Sequence, residues 1–223
     1  MSLQSRQLAL APGGRLLFDH VDIDVEPGEA LHVAGRNGSG KTSLLRVLCG
    51  LTPPLRGELH WQGQPYAQQR DAFRQALVYI GHGAGLKDDL TLGENLRLAC
   101  ALSGRACSRD DARRALSRLG LADRVDALVR TLSQGQRRRG ALARLALAPP
   151  ALPTAPRLLV LDEPFNALDQ ESTDLLSRLL SSHLASGAIL VYTTHQAAPA
   201  LGARTHALRL SAPQSHRYET ETC

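Results

Sequence analysis

One stretch, Gly35-Arg36-Asn37-Gly38-Ser39-Gly40-Lys41-Thr42, restricts what this chain can fold into more than any other. Glycine, four residues, then Gly-Lys-Thr is the spacing of a phosphate-binding P-loop. Ala30-Leu31-His32-Val33-Ala34 before it is a short apolar run that reads as a buried strand. Ser43 to Cys49 after it reads as a helix, with Gly50 as its stop. Strand, glycine loop and helix form the context the motif needs. Glycines let the backbone wrap closely round phosphate oxygens with N–H groups pointing inward, and the helix N-terminus adds partial positive charge. Gly35 to Ser43 are therefore the candidate residues for binding a nucleoside triphosphate. Lys41 would reach the β- and γ-phosphates, and the Thr42 hydroxyl would sit on Mg²⁺. Lysine otherwise occurs only at position 87 in this arginine-rich chain. A phosphate-binding point charge on a flexible stem is a task for which arginine is a poor substitute.

Composition removes several other readings. Four scattered cysteines (Cys49, Cys100, Cys107, Cys223) with no CxxC pair argue against a structural metal or a disulfide framework and fit a reducing compartment. No signal peptide is visible, and no apolar run is long enough to span a bilayer. A membrane role would then need a separate partner. The net charge of +5 reads as a mildly basic surface rather than a dedicated nucleic-acid face.

Residues 3–34 read as strands, with a turn at Pro12-Gly13-Gly14 and alternation through Val21, Ile23 and Val25. Residues 57–63 and Leu77–Ile80 read as further strands. Residues 86–148 turn helical, punctuated by N-cap signals at Thr91, Ser108 and Ser133. Pro149 to Pro156 reads as a surface loop. Arg157–Leu161 and Ala188–Tyr192 read as buried strands around a helix from Asp169 to Leu184. A short helix and a last strand, Ala207 to Leu210, follow, and the tail from Ser211 reads as polar and frayed.

Four more signals carry chemistry. The apolar run ending in Asp162-Glu163 sets a carboxylate to hold Mg²⁺, through water, beside a second that could act as general base. Leu132-Ser133-Gln134-Gly135-Gln136 is a good capping box, which needs no ligand. The same geometry offers a hydroxyl and free N–H groups to an anion. His195 closes a strand, where an imidazole could hydrogen-bond a γ-phosphate. Asp169 stands at a helix N-terminus shortly after Glu163.

Taken together, these segments resemble the ATP-binding subunit of ABC transporters over residues 3–210. Gly35–Thr42 looks like Walker A, Leu132–Gln136 like the signature motif, Leu159–Pro164 like Walker B, Asn166–Asp169 like the D-loop and Thr193–His195 like the H-loop. The resemblance implies an α/β P-loop NTPase (RecA-like) core of ABC type, with an N-terminal antiparallel β subdomain and an inserted α-helical subdomain. The core would span about 1–81 and 149–210 and the helical part about 86–148, within a single ATP-binding domain over 1–210 and a polar tail over 211–223. It further implies ATP and Mg²⁺ as ligands, with Thr42 and Asp162 on the metal, and hydrolysis by Glu163 with His195. A second copy would pack head to tail, so that Leu132–Gln136 close over the other copy's nucleotide.

Trp61–Pro65, Ile80–Lys87, Leu90-Thr91 with Glu94–Leu96, and Thr194–Gln196 are similar to the subfamily that serves cytochrome c maturation, the haem-exporter ATPases. That likeness implies a peripheral subunit on the cytoplasmic face of the bacterial inner membrane, bound to integral permease subunits, with no nucleic acid and no direct haem contact. An ABC ATPase for another exported substrate, and a soluble one acting on ribosomes or DNA, are the competing readings. His82 stands where most of the family carries glutamine. It is expected to touch the Mg²⁺ shell through water or to serve coupling to the membrane partner. Ala11–Gly14 lacks the aromatic expected to stack on the base, so loose base recognition follows.

Overall fold

The computed structural model describes residues 2–147, 157–195, 199–210 and 218–221. The chain opens with β1 (Leu3–Leu10) and β2 (Phe18–Val25), an antiparallel pair. In β2, Val21, Ile23 and Val25 are buried while Asp22 and Asp24 are exposed, the period of two of a half-buried strand. Next come β3 (Ala30–Gly35), α1 (Lys41–Leu48), β4 (Arg56–Trp61) and β5 (Gln64–Pro65). A first sheet has the order β2-β1-β4-β5, all antiparallel. Then follow α2 (Arg70–Ala76) and β6 (Leu77–Ile80). The helical stretch holds α3 (Leu92–Leu102), α4 (Arg109–Ser117) and α5 (Gln134–Ala146). The chain returns through β7 (Leu158–Leu161), α6 (Gln170–Ala185), β8 (Ile189–Thr193), β9 (Thr205–Leu210) and β10 (Tyr218–Glu221).

The second sheet runs β10-β9-β3-β8-β7-β6 and is parallel except for β10. β7 and β8 are buried along their whole length, as strands covered on both faces must be. Alternate side chains therefore enter two different cores. Leu158, Val160, Ile189 and Val191 pack with Leu31, Val33 and α1 beneath the antiparallel sheet, while Leu159, Leu161, Leu190 and Tyr192 pack against the helices α3 to α6. All three capping boxes form: Thr91 with Glu94, Ser108 with Asp111, and Ser133 with Gln136. Each satisfies two otherwise orphaned donors at a helix start.

Three features depart from expectation. Helix α2 is not anticipated, because seven residues show only Phe73 and Ala76 as a buried pair. Its position is fixed from outside by the edge-on contacts of Phe73 with Trp61 and Tyr66, at 5.6 and 4.9 Å. Second, residues 199–204 carry no helix before β9, and Gln196–Ala198 lie outside the described residues. Third, the tail expected to fray includes β10, which pairs antiparallel with β9 through Tyr218↔Leu208 to Glu221↔Thr205. Tyr and Thr are good strand formers, and β9 would otherwise present an open edge. The loop expected over Pro149–Pro156 lies outside the described residues.

Candidate active site

The C-terminal ends of β3, β7 and β8 lie on one edge of the parallel sheet, where α/β proteins gather ligands. Their loops enclose a cavity of about 530 Å³, lined from the glycine loop by Asn37, Lys41 and Thr42, from β7 by Asp162 and Glu163, and from β8 by His195. His82, which follows β6, lines it too, as do Leu17 and Asn166.

Gly40 is the N-cap of α1 with φ 98°, a left-handed conformation open to glycine at little cost, and no side chain caps the helix. The first N–H groups of α1 are thus free to face an anion. Lys41 is 8% exposed. Its ammonium donates to the carbonyls of Gly35 (2.9 Å) and Arg36 (3.2 Å), inside the loop itself.

A chain of hydroxyls joins the rest. The Thr42 hydroxyl donates to Asp162 Oδ2 at 2.7 Å. The Thr193 hydroxyl donates to Asp162 Oδ1 at 2.7 Å and accepts the Glu163 N–H at 2.8 Å. Glu163 has φ 52°, left-handed for a non-glycine residue, a strain held only where neighbours over-determine it. Its Oε2 accepts the His195 N–H at 3.2 Å. Its Oε1 lies 3.1 Å from His195 Nε2 but is not aligned as a hydrogen bond, and it is buried. Burial, and after it the Asp162 charge, push the Tyr79 phenol up.

The donors suit Mg²⁺. Thr42 and Asp162 offer adjacent oxygens, and Glu163 Oε1 is a buried oxygen with no hydrogen bond. Hard oxygen ligands of this kind are what Mg²⁺ takes. His82 stands on the cavity wall with an exposed side chain.

Leu132–Gln136 do not line this cavity. They sit at the start of α5, where Ser133 caps the helix by accepting the Gln136 N–H at 3.2 Å, which leaves its own O–H proton free. Ser133 and Gln134 are exposed. A Cβ on Gly135 would lie 2.9 Å from the Ala167 carbonyl oxygen, so this glycine is required by packing within the chain as well. Asp169 caps α6, its Oδ1 accepting the Ser172 N–H at 2.8 Å, and its bonds with Ser172 hold its pKa below the usual carboxylate value. The sequence reading names Thr193 only within the H-loop stretch, with no role for its hydroxyl, and gives Leu17 no part in the site. A hydroxyl ending a wholly apolar strand is the signal for Thr193, since a buried hydroxyl needs a partner.

Three comparisons bear on this arrangement. The family described as ABC transporter matches residues 18–166. The Cytochrome c biogenesis ATP-binding export protein CcmA of Aromatoleum aromaticum is 49% identical over 197 residues, covering 88% of this chain and 90% of that protein. A solved ATP-binding subunit of an ABC transporter is similar with a TM-score of 0.78 at 26% identity, over 94% of this chain and 86% of that one. The ATP-binding cassette MJ0796, solved as a dimer in a post-hydrolysis state with ADP and Pi, matches with a TM-score of 0.80 at 22% identity, over 98% of each chain, a likeness of fold.

Proposed function

This chain belongs to the ABC transporter family, among its cytochrome c biogenesis ATP-binding export proteins, and we propose that it is the subunit whose ATP hydrolysis drives haem delivery across the bacterial inner membrane. It is an ATPase of α/β P-loop type with the ABC fold. The observation that carries the site assignment is the convergence of Lys41, Thr42, Asp162, Glu163 and His195 on one cavity.

In this reading the amides of Gly38 to Ser43 and the Lys41 ammonium hold the phosphates of ATP. Thr42 and Asp162 would hold Mg²⁺, which would supply neutralisation of the phosphate charge when bound. Glu163 orients and deprotonates the attacking water, its carboxylate held by His195. The exposed Ser133 hydroxyl and the N-terminus of α5 close over the nucleotide of a second, head-to-tail copy. That closure excludes bulk water around the one attacking molecule and commits the bound ATP.

No helix among the described residues is long and apolar enough to cross a membrane. The proposed partners are accordingly integral permease subunits, with this chain peripheral on their cytoplasmic side and haem handled by them. Glu163→Gln tests the site: ATP should still bind and a closed dimer accumulate, with turnover reduced by about 100-fold or more. Turnover at the parent rate would end the assignment of Glu163. Co-purification with the haem-handling membrane subunits tests the partners, and salt-sensitive RNA binding in their place would favour a ribosomal role.

A further inference from the structure

Arg137, Arg138 and Arg139 are consecutive on α5, and only the middle one is buried, at 6% exposure. Its guanidinium reaches across the fold. Nη1 donates to the carbonyls of Gly81 (2.9 Å) and His82 (3.3 Å), and Nη2 to those of Asp162 (2.6 Å) and Glu163 (2.8 Å). The four carbonyls lie just past the ends of β6 and β7, neighbouring strands that are also joined there by the Asp162 N–H to Ile80 carbonyl bond of 2.9 Å. One planar cation therefore cross-links α5, the loop that carries His82, and the peptide that carries Glu163. Only arginine offers donors in a fork of this kind.

A buried charge is costly unless it is engaged; both terminal nitrogens of Arg138 are bonded while its Nε is buried without a partner, and burial pulls its pKa down while Asp162 and Glu163 push it back up. The location explains why the charge is useful there. Glu163 holds a left-handed backbone, clamped on its N–H by Thr193 at 2.8 Å and on its carbonyl by Arg138 at 2.8 Å. The Thr193 clamp belongs to the sheet. The Arg138 clamp belongs to α5, whose first turn carries Ser133 and Gly135. About five residues, or roughly 7.5 Å of helix, separate Ser133 from Arg138. The Glu163 carbonyl also accepts the Asn166 N–H at 3.2 Å, within the same loop, so Arg138 is the contact on this peptide that a rotation of α5 would move.

We propose that Arg138 is a positioning residue that couples the orientation of the signature helix to that of Glu163, so that docking of Ser133 on a second copy's nucleotide sets the base in its own site. The inference rests on Glu163 being the base. The pair of composite sites is then mechanically linked through each chain, and ATP at one site primes hydrolysis at the other. The link runs through the main-chain carbonyls of Asp162 and Glu163, and no Arg138 bond goes to residues 35–42, so its main effect is on turnover.

The test uses full-length protein assembled with its membrane subunits. Arg138→Gln should lower kcat by about tenfold or more while KM for ATP stays within about twofold, because small misplacements of a reacting group are expensive in rate. It should also remove cooperativity in ATP concentration. Arg138→Lys, which keeps the charge but cannot span both carbonyl pairs, should recover part of the rate, and added guanidinium should restore turnover to Arg138→Ala. If Arg138→Ala does not fold, the Gln and Lys variants decide alone. The proposal is overturned by a kcat for Arg138→Gln within about twofold of parent, by KM rising in step with the loss, by cooperativity that persists, or by a folded Arg138→Ala that guanidinium does not revive. Glu163→Gln run in parallel separates the two ideas. A Glu163→Gln enzyme at parent rate sinks the base assignment, whereas an inactive one beside a normal Arg138→Gln sinks only the coupling.

Discussion

His195 meets the Glu163 carboxylate at two points: its backbone N–H donates to Oε2 at 3.2 Å, and its ring Nε2 lies 3.1 Å from Oε1 without hydrogen-bond alignment. A γ-phosphate contact is what the sequence suggests for this histidine. In the folded chain its ring faces the neighbouring carboxylate, and its side chain is 49% exposed, open to the cavity. The ring contact is lost in His195→Ala while the backbone contact survives. We expect kcat to fall by about 10- to 100-fold with ATP affinity little changed. Steady-state kinetics beside a nucleotide-binding titration checks this. A drop in affinity matching the drop in rate would mean that the ring serves binding.

Thr193 joins the two carboxylate residues by donating to Asp162 and accepting from the Glu163 N–H. Thr193→Val keeps shape and volume but leaves a buried N–H unsatisfied, at a cost of about 1–3 kcal/mol. Thr193→Ser should cost less, because the hydroxyl remains. Urea unfolding of the three proteins gives the order parent, Ser, Val. If Val is as stable as parent, the bridge contributes nothing and the strained Glu163 peptide is held by other contacts.

These residues mark what can and cannot be read from the chain. Gly35–Thr42, Asp162-Glu163 and the capping boxes are contiguous, and their chemistry follows from spacing along one segment. Thr193 meets Asp162 from 31 residues away and Arg138 meets the same peptide from 24. Those contacts exist because β7 and β8 pair in one register, Leu161 opposite Tyr192, and because α5 crosses the strand ends. Arg138 does leave a trace, since it shares a helix face with the buried Ala141, Leu142 and Leu145 at i+3, i+4 and i+7. In a run of three arginines, though, that trace reads as a solvated face. Helix α2 and strand β10 owe their positions to partners elsewhere in the fold, which local pattern does not display.

Leu17 lines the nucleotide cavity, and a Cβ on Gly40 would lie 3.5 Å from its Cβ, while Phe18 beside it is fully buried in the core. An aliphatic wall gives a base apolar area but no hydrogen-bond readout and little stacking. We expect KM for GTP within about threefold of that for ATP, and Leu17→Tyr to tighten both by stacking. Hydrolysis assays with the two nucleotides decide this. A strong preference for ATP in the parent would place a polar base-reading group elsewhere on the wall.

The last prediction concerns pH. His183 on α6 is 1% exposed, and its Nε2 lies 3.1 Å from the carbonyl of Leu145, one of the final carbonyls of α5 that lack a helical partner. Burial lowers its pKa below the ordinary 6.5; the Leu145 contact opposes this, and Arg157 and Arg118 add to the lowering. With the folded value below the unfolded one, the unfolded chain binds more protons between the two. Stability therefore falls as pH drops through 6.5 toward the folded value, and the group costs nothing above that range. His183→Gln can still donate to Leu145 but gains no proton. Urea midpoints for parent and variant at about pH 7.5 and about pH 5.5 isolate the effect, since the other titrating groups are common to both. The advantage of the parent over His183→Gln should shrink or reverse at the lower pH. A difference that stays constant between the two conditions would show that His183 does not titrate against folding, and that the α5–α6 contact is held by its hydrogen bond and packing alone.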